Sequence, residues 1–297
     1  MAVNTTKDFA ALITPETTQV LWEEYKRLPT EYDRIYNMLG SQRNFETDSQ
    51  VVGFGLTPQK PEGTPVTFDN AVEGFSVTYD HISYGMGYRV TKEMFDDDLS
   101  GKIRQLPQGL GSSSKESIET ESAKLFNNGF TTNTGGNGDP LFSATQTLKG
   151  GSTASNTLAV AADLSLTSLE DAIVAFEDTT DDRGLRINQR ALTLVVPSGL
   201  RYTAKELIET SLKPNTSDNN INPVNDLDMR HMIWHYLDDA KAWFLLGDRH
   251  FINFFWRQRP IFDSAMDFDT GDAKFKITYR FSTGHSDWRG VFGVQGA

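Results

Sequence analysis

His231-Met-Ile-Trp-His235 has the four-residue spacing that puts two imidazoles on one helix face, as a zinc pair requires. The metalloprotease form of that pattern needs a glutamate after the first histidine, and Met232 stands there. The surrounding segment, MRHMIWHYL, is bounded like a strand. In a strand the two rings share a face but stand roughly 13 Å apart, at about 3.3 Å per residue, too far to share one ion. They read as two polar residues on a strand face. Lys149-Gly-Gly-Ser-Thr153 has the composition of a phosphate loop, but its lysine precedes the glycines and no strand leads directly into it. Gly135-Gly136-Asn137-Gly138 does not have dinucleotide-loop spacing. Both read as surface loop. Asp96-Asp97-Asp98, Asp181-Asp182 and Asp238-Asp239 are consecutive, so their side chains diverge, whereas a calcium loop alternates its ligands and closes on a glutamate. They read as solvated faces or helix-end charges, with a bound cation at a subunit contact as the lesser alternative. No serine sits in a G-x-S-x-G context. With no cysteine in the chain, disulfides and thiolate metal sites are excluded, and a reducing compartment suits it. The residue types therefore point to no catalytic group, no metal and no cofactor.

The composition fits a globular protein: 297 residues, 38% hydrophobic and 23% charged, enough for one large domain or two smaller ones. No run of about 18 apolar residues offers a membrane span, and the N-terminus lacks the basic and apolar regions of a secretory signal. A net charge of −12 argues against a nucleic-acid reader, which usually presents a net basic face.

Along the chain, Thr14-Pro15 reads as a helix start, with Leu21, Tyr25 and Leu28 on one face and Pro29 as the stop. Thr30 reads as the cap of a second short helix through Leu39, ended by Gly40. Residues 41–50 turn polar. Residues 51–90 carry short β-branched and aromatic segments. Val77, Tyr79 and His81 alternate with Ser76, Thr78 and Asp80, and strong turn signals lie at Pro58–Pro65 and Asp69-Asn70. This reads as a long β-ribbon with a Pro/Gly-rich tip. It has too few strands for a core of its own, so it must lie against something else. Thr91 caps KEMFDDDL, and a long helix runs from about Leu99 to Phe130, with Ile103, Leu106, Leu110, Ser114, Ile118 and Leu125 on one stripe and a kink or restart at Pro107.

The Gly/Asn/Ser/Thr-rich stretch Thr132–Asn156 follows, holding an apolar anchor at Pro140-Leu141-Phe142. A loop this long is rarely idle. Thr167-Ser-Leu-Glu170 reads as a capping box, with Ala172, Ile173 and Phe176 buried. ALTLVV (191–196) reads as a strand buried on both faces, followed by a helix after Pro197-Ser198, an Asn-rich loop (213–225), and strands at MRHMIWHYL, KAWFLLG, FINFFWRQRPIF and AKFKITYRFSTGHSDWRGVFG, with a turn at Thr270-Gly271-Asp272. Elaborate architecture without chemistry points to assembly. The spread aromatics Trp22, Trp234, Trp243, Trp256 and Trp288 read mainly as core. Trp22, on an arm without a core of its own, is the best interface candidate.

The order of these pieces resembles the major capsid (head) proteins of tailed bacteriophages, and looks closest to the Mu-like major head subunits. The resemblance is carried by LPTEYDRIYNML (28–39), YGMGYRVTKEMFDDD (84–98), ESAKLFNNGF (121–130), GDPLFS (138–143), GGSTASN (150–156), LTLVVPSGL (192–200), NINPV (220–224), DDAKAWFLL (238–246) and FKITYRFSTGHSDWRGVFG (275–293). No single piece is specific; their joint order is.

The resemblance implies an α+β, HK97-like capsid fold. Residues 1–48 would be an N-terminal arm and 49–90 an extended ribbon reaching over a neighbour. Residues 91–185 and 256–297 would form a peripheral domain with a spine helix, and 186–255 an axial domain. It implies a shell of pentamers and hexamers that encloses double-stranded DNA without sequence-specific binding, its acidic subunits not gripping the DNA, in a virion assembled in the bacterial cytoplasm. Partners would be the chain itself, a portal, a separate scaffolding protein and a decoration protein, with no membrane. No scaffolding segment of domain length precedes the arm, so the scaffold is expected to be separate, or already cleaved. Candidate assembly contacts are Trp22 and Tyr25 on the arm, Lys60, Pro61, Glu62 and Gly63 at the ribbon tip, and Asp139, Pro140, Leu141 and Phe142 in the loop. Some relatives form covalent Lys–Asn links; Lys60, between prolines, reads instead as a solvated tip charge. The alternatives are an encapsulin-type nanocompartment shell, an unrecognised hydrolase or a carbohydrate-binding module.

Overall fold

The computed structural model describes residues 7–91, 93–94, 105–213, 220–267 and 269–297, with residues 7–16 as backbone only. Helix α1 spans Lys7–Arg27 and runs through Thr14-Pro15, so Thr14 is not its cap. Pro15 lacks one donor, but the flanking rungs carry the helix past it. The helix ends before Pro29, as the sequence suggests. The expected helix over 30–39 is replaced by a single 3-10 turn, Tyr32–Arg34, and strand β1, Asn37–Gly40. The open edge of a longer strand wins here: Asn37 to Gly40 pair in parallel with Asn253 to Trp256, while Tyr32, Ile35 and Tyr36 sink into the core. Tertiary pairing overrides a weak local preference.

The polar stretch after Ser41 is strand β2, Phe45–Val52, antiparallel to β3, Val72–Asp80. These two strands are the ribbon. The alternation expected for β3 holds, with Tyr79 and His81 buried and their neighbours Thr78 and Asp80 exposed. Strand β4, Ile82–Val90, leaves the ribbon and pairs elsewhere, so the two-stranded part ends sooner than expected. The segment 95–103, with the start of the expected long helix, Ile103 and the Asp96–Asp98 run, lies outside the described residues. Helix α2, Gln105–Asn127, is the spine, and Pro107 falls in the first turn of that span, where a missing N–H is tolerated. Its stripe is as read: Leu110, Ser114, Ile118 and Leu125 are buried. The buried serines satisfy themselves: Ser114 Oγ donates to Leu110 O at 2.7 Å and Ser122 Oγ to Ile118 O at 2.6 Å. Helix α1 crosses α2 where Gly111 allows it, since a Cβ there would stand 2.8 Å from the Leu21 carbonyl oxygen.

The Gly-rich stretch is mostly irregular, with one short hairpin, β5 (Gln146–Thr147) and β6 (Thr153–Ala154). Helix α3, Leu166–Glu177, is capped two residues earlier than the expected box: Ser165 and Ser168 cap each other. Both readings use a hydroxyl three residues ahead of a reciprocal partner, and the burial of Leu169, Ala172, Ile173 and Phe176 decides the register. Strand β7, Ala191–Val196, helix α4, Arg201–Glu209, and strands β8, Arg230–Ile233, and β9, Trp243–Gly247, follow. Leu192 is partly exposed, so β7 is not sealed along its whole length. The chain closes with β10, Ile252–Met266, β11, Ala273–His285, and β12, Val291–Val294.

Two four-stranded sheets result. One has the order β1-β10-β11-β4, with α1 and α2 against it; the other has the order β12-β9-β7-β8, with α3 and α4. The second sheet therefore draws on both the 186–255 and the 256–297 segments. An aromatic core joins the sheets: Phe126 of the spine meets Trp234 at 5.3 Å and Phe244 at 5.2 Å, both edge-on, and Phe254 stacks on Phe281 at 4.8 Å. Each such ring, fully buried, contributes about 1.5–3 kcal/mol of transfer free energy. Among the described residues, no helix is long and apolar enough to cross a membrane.

Candidate assembly surfaces

The ribbon projects from a polar root. Tyr79 OH lies 2.7 Å from Ser286 Oγ, Asn253 Nδ2 donates to Ser286 Oγ at 3.1 Å, and Gln50 Nε2 donates to Ser286 O at 2.8 Å. At the junction of β3 and β4, His81 is buried, with Nδ1 3.0 Å from Ser282 Oγ and Nε2 2.9 Å from Ser41 Oγ. The Ser41 hydroxyl gives its proton to Glu46 Oε1 at 2.7 Å, so it accepts from His81 Nε2–H, and Nδ1 accepts from Ser282. Burial holds the imidazole below its ordinary pKa, consistent with this neutral form. His285 nearby is pushed down to about 4 by the same cause.

The glycine-rich stretch serves as the seat of the ribbon. A Cβ on Gly136 would stand 2.7 Å from the Ser76 carbonyl oxygen of β3, so only glycine permits this approach. Lys149 Nζ donates to Gly74 O at 3.2 Å and lies 5.0 Å from the centre of the Phe75 ring. Nearer the tip, Arg183 grips Asp69 at 2.9 Å and donates to Asn70 O at 2.9 Å. Asp69 also accepts from Gly55 N at 3.0 Å, and these donors hold its carboxyl below the usual range.

The arm is anchored by a buried carboxylate. Glu119 of α2 accepts from the backbone N–H of Glu31 at 2.8 Å and of Tyr32 at 3.1 Å. Lys115 Nζ stands 3.8 Å away and also donates to Thr30 Oγ1. Burial dominates, and the Glu119 pKa rises to about 7.

The residues expected at contacts fall into three groups. Lys60, Pro61, Glu62 and Gly63 form the exposed tip turn, with Thr64 N–H returning to Pro61 O at 3.3 Å and Gly63 at φ +80°. Trp22 and Tyr25 are half-buried and edge-on to each other at 5.5 Å, Trp22 at the rim of the Leu21–Leu110–Ile277 cluster and Tyr25 at the rim of the main aromatic core. Asp139 and Pro140 are half-buried, and Asp139 accepts from Thr147 N at 2.6 Å. Leu141 and Phe142 are 0% and 2% exposed, so their surface is spent inside the chain's own core. The structure does not bring the three groups together. Residues that sequence reading passed over carry the larger exposed apolar surface of the tip: Phe54, Leu56, Val66 and Phe68, the last 93% exposed. Their one signal was apolar side chains inside a Pro/Gly-rich segment without a strand period. His231 and His235 are apart in role: His231 approaches Glu209 at 3.6 Å, and His235 donates to Glu31 at 2.6 Å.

A rigid two-sheet body, a helical arm fixed to its spine, and a ribbon with a bare apolar tip define a shell-forming structural subunit with the HK97-like capsid fold. A family model described as phage capsid protein matches residues 74–294, most of the chain, and the chain belongs to that family. It is a structural protein, not an enzyme. Solved capsids share its fold. A chain from the capsid of bacteriophage JBD30, decorated with minor capsid protein trimers, is similar with a TM-score of 0.58 and 15% identity, over 71% of this chain and 92% of that one. A chain from the capsid of the Myoviridae phage XM1 is similar at 0.55 and 10% identity, over 91% and 93%. One from the capsid of an empty GTA particle is similar at 0.56 and 14% identity, over 91% of each. No curated protein matches the chain.

Proposed function

We propose that this chain is the major subunit of a tailed-phage head, forming pentamers and hexamers that close into an icosahedral shell around double-stranded DNA. The observation that carries the reading is the ribbon. Its root is fixed by hydrogen bonds and by the Gly136 seat, yet Phe54, Leu56, Val66 and Phe68 stand in solvent at its tip. An exposed apolar patch on a held arm needs a partner surface, and a neighbouring copy supplies one. The arm, the spine and the β1-β10-β11-β4 sheet act as the peripheral part, and the β12-β9-β7-β8 sheet as the axial part. Many modest contacts per subunit add through multivalency. Assembly in the bacterial cytoplasm with a portal and a separate scaffolding protein, and later decoration, belong to the same proposal, as does the Mu-like subtype, which rests on the order of the sequence pieces.

Negative-stain microscopy with sedimentation tests it, on the chain expressed alone and with a candidate scaffold. Shells, tubes or ring-like capsomers are expected. A clean monomer under both conditions, at high concentration, would sink the proposal.

A further inference from the structure

Among the described residues eight arginines have no carboxylate oxygen within salt-bridge distance, and the fold gathers three of them, Arg34, Arg201 and Arg230, on one groove. Arg34 comes from the 3-10 turn after α1, Arg201 opens α4, and Arg230 opens β8. The groove they line has a volume of about 530 Å³. Among the described residues, no carboxylate oxygen lies within 4.0 Å of any of the three. Arg201 places one terminal nitrogen 3.1 Å from His235 Nε2, and its Nε is buried without a partner. Glu31, the nearest groove carboxylate by position, is already committed: it accepts from His235 N at 3.0 Å and from Nδ1–H at 2.6 Å. That bond fixes the tautomer, leaving Nε2 to accept from Arg201. Glu209 is shared between Lys205 and His231. The groove is therefore cationic in a protein of net charge −12.

One wall of the groove is a strand edge. Among the described residues β8 is the outermost strand of its sheet, paired only with β7. Trp234 N–H donates to Val196 O at 2.9 Å, which sets the parity of the strand. The main-chain groups of Met232 and Arg230 face β7, and those of His231 and Ile233 face the open side. An open row of amide donors and acceptors is a template for one more strand, and peptide ligands use such edges for affinity while their side chains supply specificity. Guanidinium forks beside that edge select carboxylates, which they bind in bidentate geometry.

We propose that this groove binds an extended acidic segment of a partner polypeptide, added as an outer strand to β8 with its carboxylates on Arg34, Arg201 and Arg230. A nucleic-acid duplex fits worse. A phosphate backbone accepts hydrogen bonds but gives none to the strand's carbonyls, and Glu31 and Glu209 flank the groove.

The test titrates unassembled subunits with a fluorescent peptide alternating Asp and Val, followed by anisotropy. Its readout is peptide binding rather than shell formation, so its failure is distinct from failure of the assembly reading. Saturable binding that weakens with salt is expected. Replacing the exposed pair together, Arg34→Ala with Arg230→Ala, should weaken it about tenfold or more. Arg34→Ala alone serves if the double variant melts early. Methylating the peptide amides that face β8 should abolish binding, and methylating the alternate set should not. Equal binding of both methylated peptides would reduce the site to charge alone and overturn the strand addition. Stronger competition by a short DNA duplex would overturn it in favour of nucleic acid. Subunit self-association that the double variant loses, with no peptide binding by the parent, would assign the groove to a second copy.

Discussion

Removing the Glu119 carboxylate should destabilise the subunit and also change how its stability depends on pH. Glu119 is fully buried, receives two backbone N–H groups from the end of the arm, and has Lys115 at 3.8 Å, itself buried. Glu119→Ala orphans both donors and leaves Lys115 uncompensated, and breaking a buried pair by removing one partner costs about 3–5 kcal/mol. Glu119→Gln keeps the shape and loses the titration. The folded pKa of about 7 lies above the ordinary 4.5. The native state therefore holds a proton that the unfolded chain has released between those values, and the parent's stability from this group falls as pH rises through the window. At about 1.36 kcal/mol per pH unit, the parent should lose about 2–3 kcal/mol relative to the glutamine variant between about pH 5 and pH 8. The other charges facing the carboxyl are Lys115, which lowers its pKa, and Glu31, which raises it; both are common to parent and variant. Urea unfolding of unassembled subunits, followed by tryptophan fluorescence at both pH values, reads the difference. A parent–variant gap that stays constant with pH to within about 0.5 kcal/mol would refute the buried-carboxylate reasoning. So would an alanine variant costing less than about 1 kcal/mol.

Phe68→Asp should leave the subunit's melting unchanged, because the ring is 93% exposed, while cutting the yield of sedimenting shells; an early melt with normal assembly would reverse the reading of the tip. Gly136→Val should push β3 off its seat at a cost of about 1–3 kcal/mol, seen as faster amide exchange across residues 72–80, since the added Cβ would stand 2.7 Å from the Ser76 carbonyl oxygen. Asp69→Ala breaks a partly exposed ion pair, so stability should move by about 1 kcal/mol or less, while exchange over residues 53–71 should quicken markedly. Phe126→Ala, at the meeting point of both sheets, should cost about 3–5 kcal/mol in urea unfolding.

Much of the fold was legible where local chemistry and tertiary demand agree. The Leu110–Ser114–Ile118–Leu125 stripe, the alternation ending in Tyr79 and His81, and the apolar β7 all follow from periodicity alone. The sequence misleads where a partner strand distant in the chain decides. LPTEYDRIYNML has a helix-like cap and stop, yet β10, more than two hundred residues later, captures Asn37–Gly40 as a parallel strand. Thr14-Pro15 has every local mark of a helix start and lies inside a helix. The assembly surfaces were half legible. The tip turn at Lys60–Gly63 was marked by its prolines and glycine, but the bare side chains around it have no period to betray them. The anchor at Leu141-Phe142 signalled burial, which the chain satisfies internally. Gly136 could be read only once β3 lay beside it.

Two short crossings join the ribbon to the body sheet: residues 41–44 between β1 and β2, and His81 alone between β3 and β4. In mechanical terms the ribbon is a lever whose pivot lies at these two crossings, where His81 bridges Ser41 of one crossing and Ser282 of the body sheet. β3 alone spans about 30 Å at about 3.3 Å per residue, so a rotation of about ten degrees at that pivot moves its far end by about 5 Å, one inter-strand spacing. The ring clamped between Ser41 and Ser282 ties both crossings to the body sheet, and with the Gly136 seat and the Arg183–Asp69 pair it limits that swing. In the proposed shell, the reach of the tip over a neighbour would follow from how stiffly this root is held.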